Sequence, residues 1–175
     1  MLFEARTQVW LFARPPQPKP IPVDVSPLVL TTVEFLSGDP ALRGVRIEVE
    51  GSAPPLAADA ELLKIVFLNL LVNSAHAMHG EGRIQVSIGV IGGACHVRIA
   101  DAGPGIPQEI LEKVFTPFFT TKSRGTGLGL STAKRLIEAH RGTIRIDCPP
   151  AGGTTVTIEL PLAQARTAGP VLESA

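Results

Sequence analysis

Five stretches of the chain place apolar side chains at every second position, the period of a strand with one covered and one more exposed face. They run through Val45, Ile47 and Val49; Ile84, Val86, Ile88 and Val90; Cys95, Val97 and Ile99; Ile144, Ile146 and Cys148; and Val156, Ile158 and Leu160. Gly92-Gly93 separates the second and third runs and Gly152-Gly153 the last two, so both pairs read as turns. Helical spacing takes over elsewhere. Asp59 is a suitable N-cap for the strongest helix, over about 60–79, and Ser26 for a helix to about Leu36. A short helical stretch is expected from Gln108 to Val114 and a further helix from about Leu128 to His140. Residues 1–14 carry a loose apolar face that ends at the prolines from Pro15 to Pro22, through which no helix continues. They read as the end of a helix and a stiff extended linker. Trp10, Leu11 and Phe12 need cover, which points to a further module beyond this stretch. Alternation in every strand implies a two-layer α+β sandwich, with helices on one face of a mixed, mostly antiparallel sheet. A doubly wound parallel sheet would carry uniformly apolar strands.

Composition narrows the partners. Sixteen Lys and Arg balance 16 Asp and Glu, so net charge recommends neither a nucleic acid nor an acidic membrane, and any anion site must be local. The 175 residues, 45% apolar, are enough for one domain with a core. No uninterrupted apolar run approaches the roughly 18 residues that span a bilayer, and no secretory signal opens the chain. Cys95 and Cys148 lack metal-ligand spacing and read as buried thiols in a reducing, cytosolic compartment.

Three constellations carry chemistry. On the long helix, Ile65, Asn69, Asn73 and His76 share one stripe beside an apolar one formed by Leu62, Leu63, Val66, Phe67 and Leu70. Two asparagines on so apolar a helix are costly unless satisfied. Their amide oxygens are neutral hard ligands suited to Mg²⁺ already holding phosphate; buried amides bridging to backbone are the alternative. Asp101-Ala-Gly103-Pro-Gly105-Ile106 ends a strand, where a carboxylate can accept from the exocyclic amine of adenine while the glycines let backbone approach the ring. The same string also serves as a plain strand-to-loop turn. Gly125-Thr126-Gly127-Leu128-Gly129-Leu130-Ser131 opens a helix, offering backbone N–H groups and a positive dipole end to phosphates, or else a hinge. No Gly-Lys-Ser/Thr follows, so it is not a Walker loop. Between the last two lies Phe115-Thr-Pro-Phe118-Phe119-Thr120-Thr121-Lys122-Ser-Arg124, with aromatics suited to a lid or a docking surface and two cations able to neutralise phosphate.

Taken in order, with Gly152-Gly153-Thr154-Thr155 on the last strand, these elements resemble the GHKL ATPase superfamily, whose Bergerat fold is shared by histidine kinases, type II topoisomerases, MutL-type repair proteins and Hsp90-type chaperones. The resemblance covers about residues 21–162. "FLNLLVNSAHAM", "DAGPGI", "FTPFFTTK" and "GTGLGLSTAKRLIEAHRG" look like a sensor histidine kinase, nearest the nitrogen-regulator type with its short lid. It implies that Asn73 is the Mg²⁺ ligand, with Asn69 and His76 near the phosphates of ATP. It implies that Asp101 reads adenine, with Gly103, Gly105 and Ile106 at the base pocket and Thr154 beside it. Lys122 becomes the lid residue that reaches phosphate, and Gly125, Thr126, Gly127, Leu128, Gly129 and Leu130 the closing phosphate turn. Phe118 and Phe119 match lid aromatics that meet the phosphoacceptor domain.

The implied organisation is the end of a dimerisation helix and a linker over 1–20, an ATP-binding catalytic domain over 21–162 and a flexible tail over 163–175. The implied partners are the dimerisation domain bearing the phosphoacceptor histidine, expected outside this chain, and a response regulator receiver domain. The fragment is expected to be monomeric, without direct membrane contact. None of His76, His79, His96 and His140 is followed by the acid and proline of a family acceptor; His96 and His140 read as structural, and His79 as a solvated helix end. Two positions depart from the family pattern. Ile65 stands where hydrolysing relatives place a water-activating glutamate, and Thr116 where the lid motif commonly has one. Rival readings are a hydrolysing GHKL ATPase and a non-catalytic nucleotide-binding module.

Overall fold

The alternating runs become a five-stranded sheet because each can turn its apolar side chains to a single face. The computed structural model describes residues 17–122, 125–150 and 152–162. The helix expected over 1–14, with Trp10 and its neighbours, Arg124 and the tail after Leu162 lie outside the described residues. The main sheet contains β2 (Gly44–Gly51), β4 (Glu81–Ile91), β5 (Ala94–Asp101), β6 (Thr143–Asp147) and β7 (Thr154–Pro161), in the order β2-β4-β5-β7-β6. Only β2 and β4 run parallel; the other neighbours are antiparallel. Gly92 and Gly93, both at positive φ, close the β4–β5 hairpin in two residues, as that tight turn requires.

Among the described residues four α-helices accompany the strands: α1 (Val25–Leu36), α2 (Ala60–Ala77), the short α3 (Gln108–Leu111) and α4 (Gly129–Ala139). Across the sheet, Val86 and Ile88 pair through Ile99 and Val97 with Val156 and Ile158, and all are buried together with Ile84. Opposite them lie Leu63, Val66, Phe67, Leu70 and Leu71 of α2 and Leu136 and Ile137 of α4, equally buried. This is the expected two-layer arrangement with a mostly antiparallel sheet. The length and mean hydropathy of 1.2 of α2 would suit a membrane span on composition alone, but its Leu, Val and Phe residues form the core. The other sheet face is polar, with Glu48 paired to Arg83, Glu50 accepting from Gln85 and Ser87, and Arg145 paired to Glu159.

Several boundaries differ from the sequence reading. Asp24, not Ser26, caps α1: its backbone is extended and its carboxylate accepts the Ser26 N–H at 3.2 Å. Either residue type can cap, and spacing alone does not separate neighbours. α3 stops at Leu111, short of Val114. Ile21–Val23 (β1), expected as linker, pairs antiparallel with Leu56–Ala58 (β3) in a two-stranded ribbon. Three residues are too few to show a period, and Pro22 masked the first of them. Cys148 lies one residue beyond β6 and is half-buried, whereas Cys95 is fully buried with its thiol pushed up to about 11 by burial.

α2 and α4 are fastened at one end by His140. Its Nε2 accepts the Asp59 N–H at 3.0 Å, which leaves Nδ1 to donate to the Leu136 carbonyl at 2.7 Å. Asp59 in turn receives the Leu62 N–H at 3.2 Å and the Lys19 N–H at 3.0 Å. Burial raises the Asp59 pKa, but the Lys19, Leu62 and Glu61 amides and His140 outweigh it and bring the group below its ordinary 3.8.

Replacing His140 by Ala leaves the Asp59 amide without its acceptor and should cost about 1–3 kcal/mol, or several degrees of Tm in a thermal melt. Asp59→Ala should cost about 1 kcal/mol near neutral pH through the lost cap. Because the folded pKa of Asp59 is lowered, its contribution is present above the unfolded value of 3.8 and lost as pH falls through the folded one. The gap between wild type and Asp59→Ala should therefore narrow in urea titrations taken below about pH 4.

Candidate functional site

The open ends of α2 and α4 meet where the asparagine stripe emerges. Asn69 and Asn73 are half-buried, and a Cβ placed on Gly129 would lie 3.4 Å from both Asn69 Oδ1 and Asn73 Nδ2. The glycine lets the start of α4 sit against both carboxamides. Leu128 precedes that helix without a side-chain cap, so its first turn presents backbone N–H groups and the positive dipole end at the same place. The Thr126 hydroxyl accepts the Leu128 N–H at 3.4 Å, and Leu130 packs half-buried against the core.

From the lid, Lys122 reaches across, and its ammonium donates to Asn73 Oδ1 at 3.1 Å. Burial pulls the Lys122 pKa below the ordinary lysine value, against the carboxylate of Asp101, which raises it. Backbone bonds shape the lid: Phe118 N–H to the Gly127 carbonyl at 3.0 Å, Gly125 N–H to the Lys122 carbonyl at 3.1 Å, and Phe119 N–H to the Thr116 carbonyl at 3.2 Å. Phe118 remains 65% exposed, while the Phe115 ring lies under Lys134 at 5.4 Å.

Asp101 arrives by register. On β5, Cys95, Val97 and Ile99 face the helices, and the next position on that face is Asp101, opposite Thr154 of β7. One carboxylate oxygen, Oδ1, accepts the Gly103 N–H at 3.0 Å and the Thr154 N–H at 3.1 Å; Oδ2 makes no hydrogen bond among the described residues. The loop after Asp101 is held by the turn before β7, with the Gly153 N–H donating to the Gly103 carbonyl at 2.8 Å. Gly153 has φ +86°, and any Cβ there would strike the Asp101 carbonyl. A Cβ on Gly103 would touch Ala77 at 3.4 Å, one turn beyond Asn73, so the Asp101 loop and the asparagine stripe border one cleft. Gly105 lies beside Gly153, and the Ile106 N–H donates to Cys148 Sγ at 3.3 Å. His76 is exposed and lines a recess of about 490 Å³ with Arg43, Gly44, His79, Gly80 and Glu81.

Sequence reasoning missed one residue and one partner. His140 read as structural, and it is, but only the fold brings it to Asp59, 81 positions away in the chain. Cys148 resembled one more inward strand position, and its contact with the Ile106 amide left no trace in spacing.

Neutral carboxamides, open helix amides, a lysine and a strand-end carboxylate around one cleft form a site for a nucleotide polyphosphate. The chain belongs to the family described as histidine kinase-, DNA gyrase B-, and HSP90-like ATPases, which matches residues 58–164. The fold and the family together make it an ATP-binding domain. Among individual proteins it is 37% identical to the sensor histidine kinase ZraS of Klebsiella oxytoca, over 85% of this chain and 33% of that protein. To the signal transduction histidine-protein kinase AtoS of Escherichia coli it is also 37% identical, over 89% of this chain and 26% of that one. The chain thus spans about a quarter to a third of these relatives. The mycobacterial sensor histidine kinase MprB superposes with a TM-score of 0.73 at 31% identity, over 82% of this chain and 97% of that one. Full-length ShkA in complex with AMPPNP gives 0.80 at 26% identity, over 94% and 36%.

Gly153→Ala should force the Asp101 carbonyl and its loop outward. We expect a loss of about 1–3 kcal/mol in urea unfolding and a weaker ATP Kd by isothermal titration; an unchanged Kd would show that the loop does not depend on this contact.

Proposed function

We propose that this domain binds Mg·ATP and donates the γ-phosphate to a histidine on a helical dimerisation domain, as the catalytic part of a two-component sensor histidine kinase. The observation that carries the reading is the meeting of Asn69 and Asn73 with the open start of α4 and the Lys122 ammonium, 3.1 Å from Asn73. Similarity to sensor histidine kinases supports it.

In this reading Asn73 holds Mg²⁺ through Oδ1. The oxygen faces the cleft and already accepts from a cationic ammonium, so the donor fits a hard cation. The bound ion supplies neutralisation of charge on the triphosphate oxygens. Lys122 is then free to turn its ammonium to the terminal phosphate, and the Gly125, Thr126, Gly127, Leu128, Gly129 and Leu130 segment offers its amides to the chain of phosphates. Asn69 and His76 lie along the same side. Asp101, fixed through Oδ1, offers Oδ2 to the adenine amine, while Gly103, Gly105 and Ile106 wall the base and Thr154 supports the carboxylate. Such a site works by positioning and charge neutralisation, because the nucleophile comes from the partner. Ile65 packs against the core where a hydrolase would hold its base, which leaves water without activation from that position. The exposed Phe118 suits contact with the dimerisation domain. The onward partner is a response regulator receiver domain, and the compartment is the cytoplasm, where ATP is supplied. The nitrogen-regulator-like subtype rests on the motif strings alone.

Asn73→Ala should reduce Mg²⁺-dependent transfer of labelled γ-phosphate to a phosphoacceptor domain supplied in trans by at least about 100-fold, with the fold intact by circular dichroism. Transfer at wild-type rate would refute the ligand role. Sustained phosphate release by wild type alone, without an acceptor, would instead favour a hydrolysing ATPase.

A further inference from the structure

The loop proposed to wall the adenine is attached at three points to the chain around the start of β7. Cys148, Gly153 and Thr154 each meet residues of the 101–106 stretch. At one end the Thr154 N–H holds the Asp101 carboxylate at 3.1 Å, and in the middle the Gly153 N–H holds the Gly103 carbonyl at 2.8 Å. At the far end the Ile106 N–H donates to a side chain, the Sγ of Cys148, at 3.3 Å. The Cys148 Cβ also lies 3.9 Å from where a Cβ on Gly105 would stand. The first two attachments use backbone or the base-reading carboxylate itself. The third depends on which residue occupies position 148.

We propose that Cys148 is a positioning residue for base recognition, its sulfur accepting the Ile106 amide so that Gly105 and Ile106 stay against the adenine. The proposal rests on the reading of Asp101 and its loop as the adenine site. Without an acceptor at 148 the Ile106 amide turns to solvent, and the end of the loop can swing into the recess of about 530 Å³ beside Cys148, lined also by Pro104, Pro107, Gln108 and Pro149. The phosphate-binding side would keep its geometry, because the Lys122–Asn73 hydrogen bond and the seat of Gly129 against Asn69 and Asn73 do not involve Cys148 or Ile106. The consequence is selective: adenine loses affinity and polyphosphate does not.

The test compares wild type, Cys148→Ala and Cys148→Ser by calorimetry with ATP, GTP and inorganic tripolyphosphate, and follows Tm in parallel. Cys148→Ala should weaken ATP by about 3- to 10-fold, narrow the ATP-to-GTP preference by the same factor and leave tripolyphosphate unchanged. Cys148→Ser, whose hydroxyl can accept the same amide, should restore most of the preference. Equal weakening of ATP and tripolyphosphate, no change in either, or no recovery with Ser would overturn the positioning role and leave at most a packing one. A wild-type chain that binds ATP and GTP alike fails differently, because it removes the adenine reading of Asp101 itself.

Discussion

The antiparallel contact between α2 and α4 governs the site. His140 closes one end of that contact by joining the Leu136 carbonyl to the Asp59 amide, so α4 can neither slide nor rotate on α2 without breaking a half-buried hydrogen bond. At the other end, the same placement brings the uncapped start of α4 against Asn69 and Asn73. A helix N-terminus attracts anions only within its first turn, so a shift of one residue, about 1.5 Å, would matter. Within the proposed reading, the hydrogen bonds of His140 help to hold the phosphate-facing start of α4 from the opposite end of that helix.

The sheet delivers the second half of the cleft by strand register. Because side chains alternate, the residue that follows Cys95, Val97 and Ile99 on the helix-covered face is a carboxylate, placed where β5 leaves the core. Two backbone N–H groups on one oxygen satisfy much of its charge and orient the other oxygen into the cleft. β7 matters for the same reason. Inserted between β5 and β6, it supplies the Thr154 amide, and its leading turn supplies Gly153 and Cys148 as props for the loop.

Legibility in the sequence followed the physical range of each interaction. The main strands, both glycine turns and the Asp59 cap rest on local period and local hydrogen bonding, and each stood in the sequence. The fold class followed, since alternation in all strands leaves one face to be covered. Spacing placed Asn69 and Asn73 on one stripe, but their convergence with Lys122 and Gly129 was reached through ordered motifs that resemble a family, because those residues lie on other elements. What remained hidden was non-local or too short. His140 and Asp59 meet only after the helices pack, the three-residue strands β1 and β3 carry no period, and the bond from the Ile106 amide to Cys148 joins two loops.

The Lys122 ammonium on Asn73 Oδ1 bears on how such a cleft avoids wasting ATP. A carboxamide oxygen facing a polyphosphate site is poorly satisfied unless something cationic shares it. The lid supplies that cation from within the chain, and burial, opposed by Asp101, lowers its proton affinity below that of an ordinary lysine. Lys122 is therefore drawn into the cleft by Asn73 and Asp101, and the lid that carries it is already tied to the glycine turn through Phe118 and Gly127. Within the proposed reading, loading of nucleotide exchanges one cation on Asn73 for another without assembling a new lid. Ile65, packed into the core one turn before Asn69, adds no base to that arrangement. Charge is neutralised and the phosphate held, while the attacking atom has to come from outside the domain.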